Sequence, residues 1–194
     1  LAVPLFILAG HLMNASGITT RLLGFADVLT GHMRGGMAQS SVVLSTLMGG
    51  VSGSSTADAA MESRILGPSM IKAGYPRAFT AVVIGYTSLI TSTIPPGINL
   101  ILYGTTAGIS IGRLFMAGLM VGLMMMTALM VTVAVCSRRK GLKPSRDRRA
   151  SVKELYKSLC GNIWAIIFPI LLLVGIRLGL FTATEVGAFA CVYA

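Results

Sequence analysis

Between Arg77 and Arg113 the chain runs for thirty-five residues without a charged side chain. As one straight helix that run would be about 52 Å long, far beyond the roughly 30 Å hydrocarbon core of a bilayer. It must therefore be interrupted, and Thr91-Ser92-Thr93-Ile94-Pro95-Pro96-Gly97 is where. Each proline removes a backbone donor, and Pro95 also restrains the residue before it. The pattern predicts helix to about Ile90, unwound chain through the prolines, and helix again from about Ile98 to Thr105. That is a discontinuous transmembrane helix. Composition agrees: a mean hydropathy of +0.81, with 54% hydrophobic and 11% charged residues, excludes an ordinary soluble domain and indicates a multi-pass membrane protein.

A second uncharged run, residues 35–57, has the wrong centre for a plain spanning helix: Met48-Gly49-Gly50-Val51-Ser52-Gly53-Ser54-Ser55-Thr56-Ala57-Asp58. Glycine lets the backbone leave helical geometry, and the hydroxyls supply oxygens where the helical ladder opens. Broken backbone at membrane depth survives only where protein covers it or where it lines a cavity. The apolar segment before the break, Met37 to Met48, reaches only about 18 Å. After it, a second short helix over Thr56 to Ile71 carries Asp58, Glu62 and Arg64, and Lys72 and Arg77 return the chain to a basic face. Two short helices, a small-residue tip and basic feet describe a re-entrant hairpin entering from the cytoplasm.

The net charge of +10 is concentrated: residues 138–157 hold nine of the sixteen basic residues against Asp147 and Glu154. This block follows directly on an apolar span, so it reads as a cytoplasmic, positive-inside anchor. No aromatic or RNA-binding motif accompanies it, and no nucleic-acid partner is expected. Cys136, Cys160 and Cys191 have no metal-ligand spacing and are expected to be buried, inert thiols.

The expected organisation is all-α, with the segments read as follows. Residues 1–14 end a scaffold transmembrane helix, residues 15–36 form an interfacial amphipathic arm helix, and residues 37–74 form the re-entrant hairpin. Residues 75–110 are the broken transmembrane helix, 111–137 a plain span, and 138–160 a basic cytoplasmic loop with a short helix. Residues 161–181 cross again, and 182–194 start another helix. The chain begins without methionine and stops inside an apolar run, so it is expected to be a piece of a longer polypeptide.

A re-entrant hairpin followed by a proline-broken span is a secondary-transporter architecture. Five ordered blocks make the likeness specific: PLFILAGHLMNASGI, GGVSGSSTADAA, LGPSMIKAGYPRAF, TIPPGINLILYGTTAGISIGRLFMAG and GLFTATEVGAFACVYA. In this order and spacing, across essentially the whole chain, they resemble the DctM-like large membrane subunit of TRAP transporters (tripartite ATP-independent periplasmic transporters). The resemblance implies a sodium-driven importer of organic acids, of the C4-dicarboxylate or acidic-sugar class, in the bacterial inner membrane. It implies a periplasmic substrate-binding protein (P subunit) and a small membrane subunit (Q subunit) as partners. It also implies an elevator built from two inverted repeats, of which this chain holds most of the first. The family pattern has a serine where this chain has Gly97, so Gly97 is assigned a backbone role only.

Within that frame the two breaks form one site. Sodium, a hard cation, takes oxygen ligands by the logic of other hard ions. The candidates are Ser52, Gly53, Ser54, Ser92, Thr93 and Pro95, through hydroxyl and backbone oxygens. Helix N-termini beside the breaks carry partial positive charge suited to a substrate carboxylate, which nominates Ser54, Ser55, Pro96, Gly97 and Asn99. The competing role for the tip serines is helix capping, since Ser55-x-x-Asp58 fits a capping box. Asp58 and Glu62 share one helix face. They read as structural or coupling carboxylates, paired with Arg64, with Lys72 or with a residue of the second half, or else acting as a proton relay. His11 and His32 are expected in ordinary hydrogen-bonding roles. Two rival functions stand beside the TRAP reading. One is a stand-alone symporter or antiporter of the same ion-transporter superfamily. The other is a rhomboid-like intramembrane serine protease, because Gly50-Val51-Ser52-Gly53 spells its GxSG motif. No histidine follows residue 32 to serve Ser52 as base.

Overall fold

Glycine and proline set where the helices stop. The computed structural model describes residues 2–50, 52–146, 148–163, 166, 167, 174 and 183–193. The chain is helical: α1 (Ala2–Ala15), α2 (Ile18–Thr30), α3 (Gly36–Gly49), α4 (Ser55–Lys72), α5 (Arg77–Thr93), α6 (Ile98–Ala107), α7 (Ile111–Arg139), α8 (Val152–Gly161) and α9 (Ala183–Tyr193). No strand occurs among the described residues. The expected span over residues 161–181 lies almost wholly outside them.

α3 is the hub. Its residues are uncharged and mostly small or apolar, and an all-round buried helix needs that composition. Every residue from Ala38 to Ser45 is buried, as are Met48 and Gly49. α2 packs along it through Thr19, Leu22, Ala26 and Thr30, with the Thr30 and Ser40 hydroxyls 3.1 Å apart. α4, α5 and α7 cover its remaining sides. α1 packs instead against α9, where the Cys191 thiol donates to the Leu5 carbonyl at 3.1 Å.

α5 and α6 meet at a bend of 43° and together are long and apolar enough to cross a membrane, as α7 is alone with 29 residues. The bend falls where the prolines put it, but α5 runs to Thr93 rather than to Ile90. Only the residue before Pro95 is driven out of the helical region, and Ile94 is extended with φ −76° and ψ 129°. α6 continues to Ala107 and α7 begins at Ile111, leaving a short connection of residues 108–110. α4, at 18 residues, is longer than the expected half-length helix.

Two glycines on α7 receive the bend. A Cβ on Gly118 would lie 2.7 Å from the Thr93 carbonyl oxygen, and one on Gly122 would run into the Ile94 side chain. This small-xxx-small spacing is how membrane helices bring backbones together. Gly122→Leu is therefore expected to lower the thermal unfolding midpoint of the complete protein in detergent, by an overpacking cost of about 1–3 kcal/mol. An unchanged midpoint would mean that the contact is not maintained. Away from this seam, Met120, Met124 and Val131 of α7 are more than 60% exposed. Methionine and valine on one open face suit lipid or further helices.

The basic loop is tied back onto α2. Asp27 accepts the Ser145 hydroxyl at 2.7 Å and pairs with Arg146 at 3.3 Å. The Gly31 carbonyl accepts the Ser145 and Arg146 amides at 2.9 and 3.0 Å. α8 lies against α2 but buries no residue, so Cys160 is exposed rather than buried.

Candidate functional site

Three helices each carry two polar residues four apart: Ser41 and Ser45 on α3, Asp58 and Glu62 on α4, Thr87 and Thr91 on α5. That spacing sets each pair on one face, and the fold turns the three faces toward one another. Ser41 donates to Glu62 Oε2 at 2.5 Å and Ser45 to Glu62 Oε1 at 2.6 Å, while Thr87 lies 3.3 Å from the same carboxylate. One turn further on, the Thr91 hydroxyl reaches Asp58 Oδ2 at 2.5 Å and the Ser45 carbonyl at 3.0 Å. Moving up α3 and α5 means moving down α4. The hairpin is thus antiparallel, and α5 runs alongside its first arm.

Asp58 is 1% exposed and Glu62 is fully buried. Both have hydroxyl partners, and among the described residues neither forms an ion pair; the two ion pairs there both use Arg146. The expected pairing with Arg64 or Lys72 is therefore replaced by a ring of serine and threonine. Arg64 projects from an exposed position on α4, and Lys72 sits at its exposed end. Helix geometry explains this: Arg64 is two residues beyond Glu62, hence about 200° around the helix from it.

The two backbone breaks are in contact. Gly53 takes φ +58°, and a Cβ there would lie 2.6 Å from the Pro96 carbonyl oxygen and 3.3 Å from Gly97 Cα. The Ile98 amide at the start of α6 points to the Gly53 carbonyl at 3.4 Å. Gly49 and Gly97 are equally tight, their missing Cβ positions lying 2.6 Å from Ile94 Cβ and 2.7 Å from the Ser92 carbonyl oxygen. The prolines also free carbonyls. Thr91 and Ser92 would bond the amides of residues 95 and 96, and Pro95 and Pro96 have none.

The nominated hydroxyls divide by what they already do. Ser54, not Ser55, caps α4: its Oγ accepts the Ala57 amide at 3.5 Å, and Asp58 turns to Thr91 instead of closing a capping box. Ser92 and Thr93 donate to the Leu89 carbonyl at 3.1 and 2.9 Å, keeping only their lone pairs for a ligand. Ser55 is half-buried at the start of α4, Pro95, Pro96 and Gly97 are buried, and Asn99 is exposed on α6. Ser52 differs. Its buried Oγ has no hydrogen-bond partner among the described residues, and neither does Asp58 Oδ1. Both residues line a cleft of about 790 Å³, with Ser54, Met48, Ile98 and Arg64 on its walls and His11 at its edge.

Comparison with known proteins decides what this architecture is. The family model for the DctM component of tripartite ATP-independent periplasmic transporters matches residues 1–194. The chain belongs to the TRAP transporter large permease family. It is 40% identical over its full length to the 2,3-diketo-L-gulonate TRAP transporter large permease protein YiaN of Escherichia coli, of which it spans 45%. It is 37% identical to the C4-dicarboxylate permease DctM of Pseudomonas aeruginosa and 37% to the sialic acid permease SiaM of Vibrio cholerae, again spanning all of this chain and 45% of each relative. The chain thus spans less than half the length of these curated relatives. Its relatives are named as transporter permeases.

The residues that sequence reasoning overlooked are Ser41, Ser45, Thr87 and Thr91 as partners of the carboxylates. The signal was there: three helices with polar pairs at the same spacing, one of them uncharged and another charged only at its first residue, Arg77. What was missing was the register between helices.

Proposed function

We propose that this segment is half of the ion- and substrate-handling unit of a sodium-coupled organic-acid importer, fed by a periplasmic binding protein and completed by a small membrane subunit. The observation that carries the reading is the pair of buried oxygens without a hydrogen-bond partner among the described residues, Ser52 Oγ and Asp58 Oδ1, on one cleft. A polar group left unpaired in a buried place costs about 1–3 kcal/mol, and a bound cation removes that cost by taking its lone pairs. Neutral oxygens with a single carboxylate nearby suit a monovalent hard ion. Gly53, Ser92, Thr93 and Pro95 complete the oxygen set through carbonyls or remaining lone pairs.

The N-terminus of α4 behind Ser54 and Ser55, and that of α6 behind Pro96 and Gly97, add partial positive charge near the same cleft. Arg64 adds a full one from its wall. An organic carboxylate and a cation then attract each other within one cavity, which is the physical basis of coupling. The substrates named for the relatives are anions of this kind in the sialic acid and C4-dicarboxylate cases. In the transporter reading 37–74 and 75–110 move together against the scaffold, as an elevator, in the inner membrane with residues 138–157 cytoplasmic. A stand-alone symporter is the less favoured reading, because every relative quoted above is a TRAP permease.

Uptake by the complete permease with its partners in proteoliposomes tests this. Ser52→Ala is expected to raise the sodium concentration for half-maximal uptake about tenfold, the equivalent of ~1.4 kcal/mol. Asp58→Asn, which keeps an acceptor for Thr91 but removes the charge, is expected to raise it further. Sodium dependence unchanged in both variants would overturn the assignment. Ser54→Ala is a poorer probe, since loss of the cap alone costs about 1 kcal/mol of stability.

A further inference from the structure

Away from the transport cleft, four basic side chains from three separate segments converge on one cavity of about 480 Å³. His32 and Arg34 come from the turn between α2 and α3, Arg138 from the last turn of α7, and Arg149 from the loop before α8. The turn is held against α7 by Gly35, whose φ is +72° and whose missing Cβ leaves room for the Ser137 side chain. Arg138 by itself is explained by the negative end of the α7 dipole. Arg34 and Arg149 are not, and gathering like charges from distant segments is unfavourable without an anion between them.

Among the described residues no carboxylate serves that role. Asp27 and Glu154 pair with Arg146, not with these arginines. Among the same residues the buried Nδ1 of His32 also has no hydrogen-bond partner. Guanidinium groups converging from several directions match the oxygens of a phosphoryl group, each bonding it in a fork.

The other wall of the cavity is apolar. Val131, Ala134 and Val135 climb α7 directly above Arg138, and the two valines are 64% and 45% exposed. From residue 131 to residue 138 is about 10 Å along the helix axis. A cationic floor under an apolar strip is amphipathic in the same sense as a phospholipid. The geometry points to a binding site for an anionic phospholipid of the leaflet that faces the basic loop, with its phosphoryl headgroup on Arg34, Arg138, Arg149 and His32 and an acyl chain along Val131 and Val135. Basic pockets at the cytoplasmic ends of membrane helices hold such headgroups. The lipid would brace the turn that starts α3, the hub helix, against the end of α7.

The test uses the complete permease in detergent and in nanodiscs, with phosphatidylglycerol, phosphatidylcholine and inorganic phosphate as the probes. Native mass spectrometry is expected to show phosphatidylglycerol retained in preference to phosphatidylcholine. Arg149→Gln, in an exposed loop and safe for folding, is expected to weaken that retention about fivefold, and Arg34→Gln with Arg138→Gln about fivefold each again. Val131→Ser with Val135→Ser is expected to weaken phosphatidylglycerol binding while leaving any inorganic phosphate binding unchanged. Equal retention of the two lipids would overturn the proposal, as would retention unaffected by Arg149→Gln. Competition by inorganic phosphate together with indifference to the valine changes would make this a free-anion site instead, and would overturn the lipid assignment. None of these outcomes bears on sodium-dependent uptake, so the two readings stand or fall separately.

Discussion

Gly53→Val in the complete permease is expected to reduce uptake to less than about a tenth while the protein still inserts. The left-handed φ of +58° excludes a β-branched residue, and the new Cβ would lie 2.6 Å from a backbone oxygen, that of Pro96. The first conflict costs about 1–2 kcal/mol and the second about 1–3 kcal/mol. A backbone atom cannot rotate away as a side-chain tip can, so relief comes only by parting the hairpin tip from the α5–α6 break. Since 1.4 kcal/mol is about a factor of ten in population, the joined arrangement would become a minor one. Gly24→Ala is the control: Gly24 sits inside α2 with nothing within 4 Å of its missing Cβ, and alanine there is expected to be neutral or mildly stabilising. Normal uptake by Gly53→Val would show that the two breaks need not touch.

The second large effect is expected from Glu62→Leu. It removes the acceptor of the Ser41 and Ser45 hydroxyls, both buried, and one acceptor of Thr87. Thr87 keeps the Ile84 carbonyl at 3.2 Å and offers its own oxygen to Ser41 at 3.0 Å, so Ser45 is the donor left short. At about 1–3 kcal/mol for a buried donor left unpaired, the unfolding free energy should fall by roughly 1–3 kcal/mol, read as a lower midpoint in thermal unfolding of the complete permease. Glu62→Gln, which keeps a carbonyl oxygen, is expected to lose much less. Combining Glu62→Leu with Ser41→Ala and Ser45→Ala should recover most of the stability, because removing donors with the acceptor is nearly neutral. If the triple variant were as unstable as Glu62→Leu, the hydroxyl ring would not be what holds the carboxylate.

The two breaks illustrate what is readable from local chemistry. Two adjacent prolines after a long uncharged run leave no alternative to an interruption, and the structure bends there by 43°. α5 ends three residues later than the pattern predicts because proline penalises its immediate predecessor and removes the donors for carbonyls upstream, without unwinding those residues. Thr91 to Thr93 stay helical and bond back onto Leu89 or across to Ser45. The cap of α4 was misplaced by one residue for a related reason. Ser55-x-x-Asp58 satisfies the capping pattern, but Asp58 has a stronger claim on it from Thr91, a residue thirty-three positions away.

By itself the sequence determined that the chain is helical, that it is apolar enough for a membrane, and where its backbone has to break. Those follow from hydropathy, from proline's missing N–H and from glycine's freedom, all properties of neighbouring residues. Only the tertiary structure decided which oxygens are engaged and which are left over. Whether Ser54 caps, whether Ser52 is free, and whether Asp58 and Glu62 meet cations or hydroxyls depend on the register between α3, α4 and α5. A one-residue rotation of any of these helices turns its polar pair by about 100°, away from its partners. No local pattern encodes that rotation; it is set by how the small and apolar faces of three helices pack.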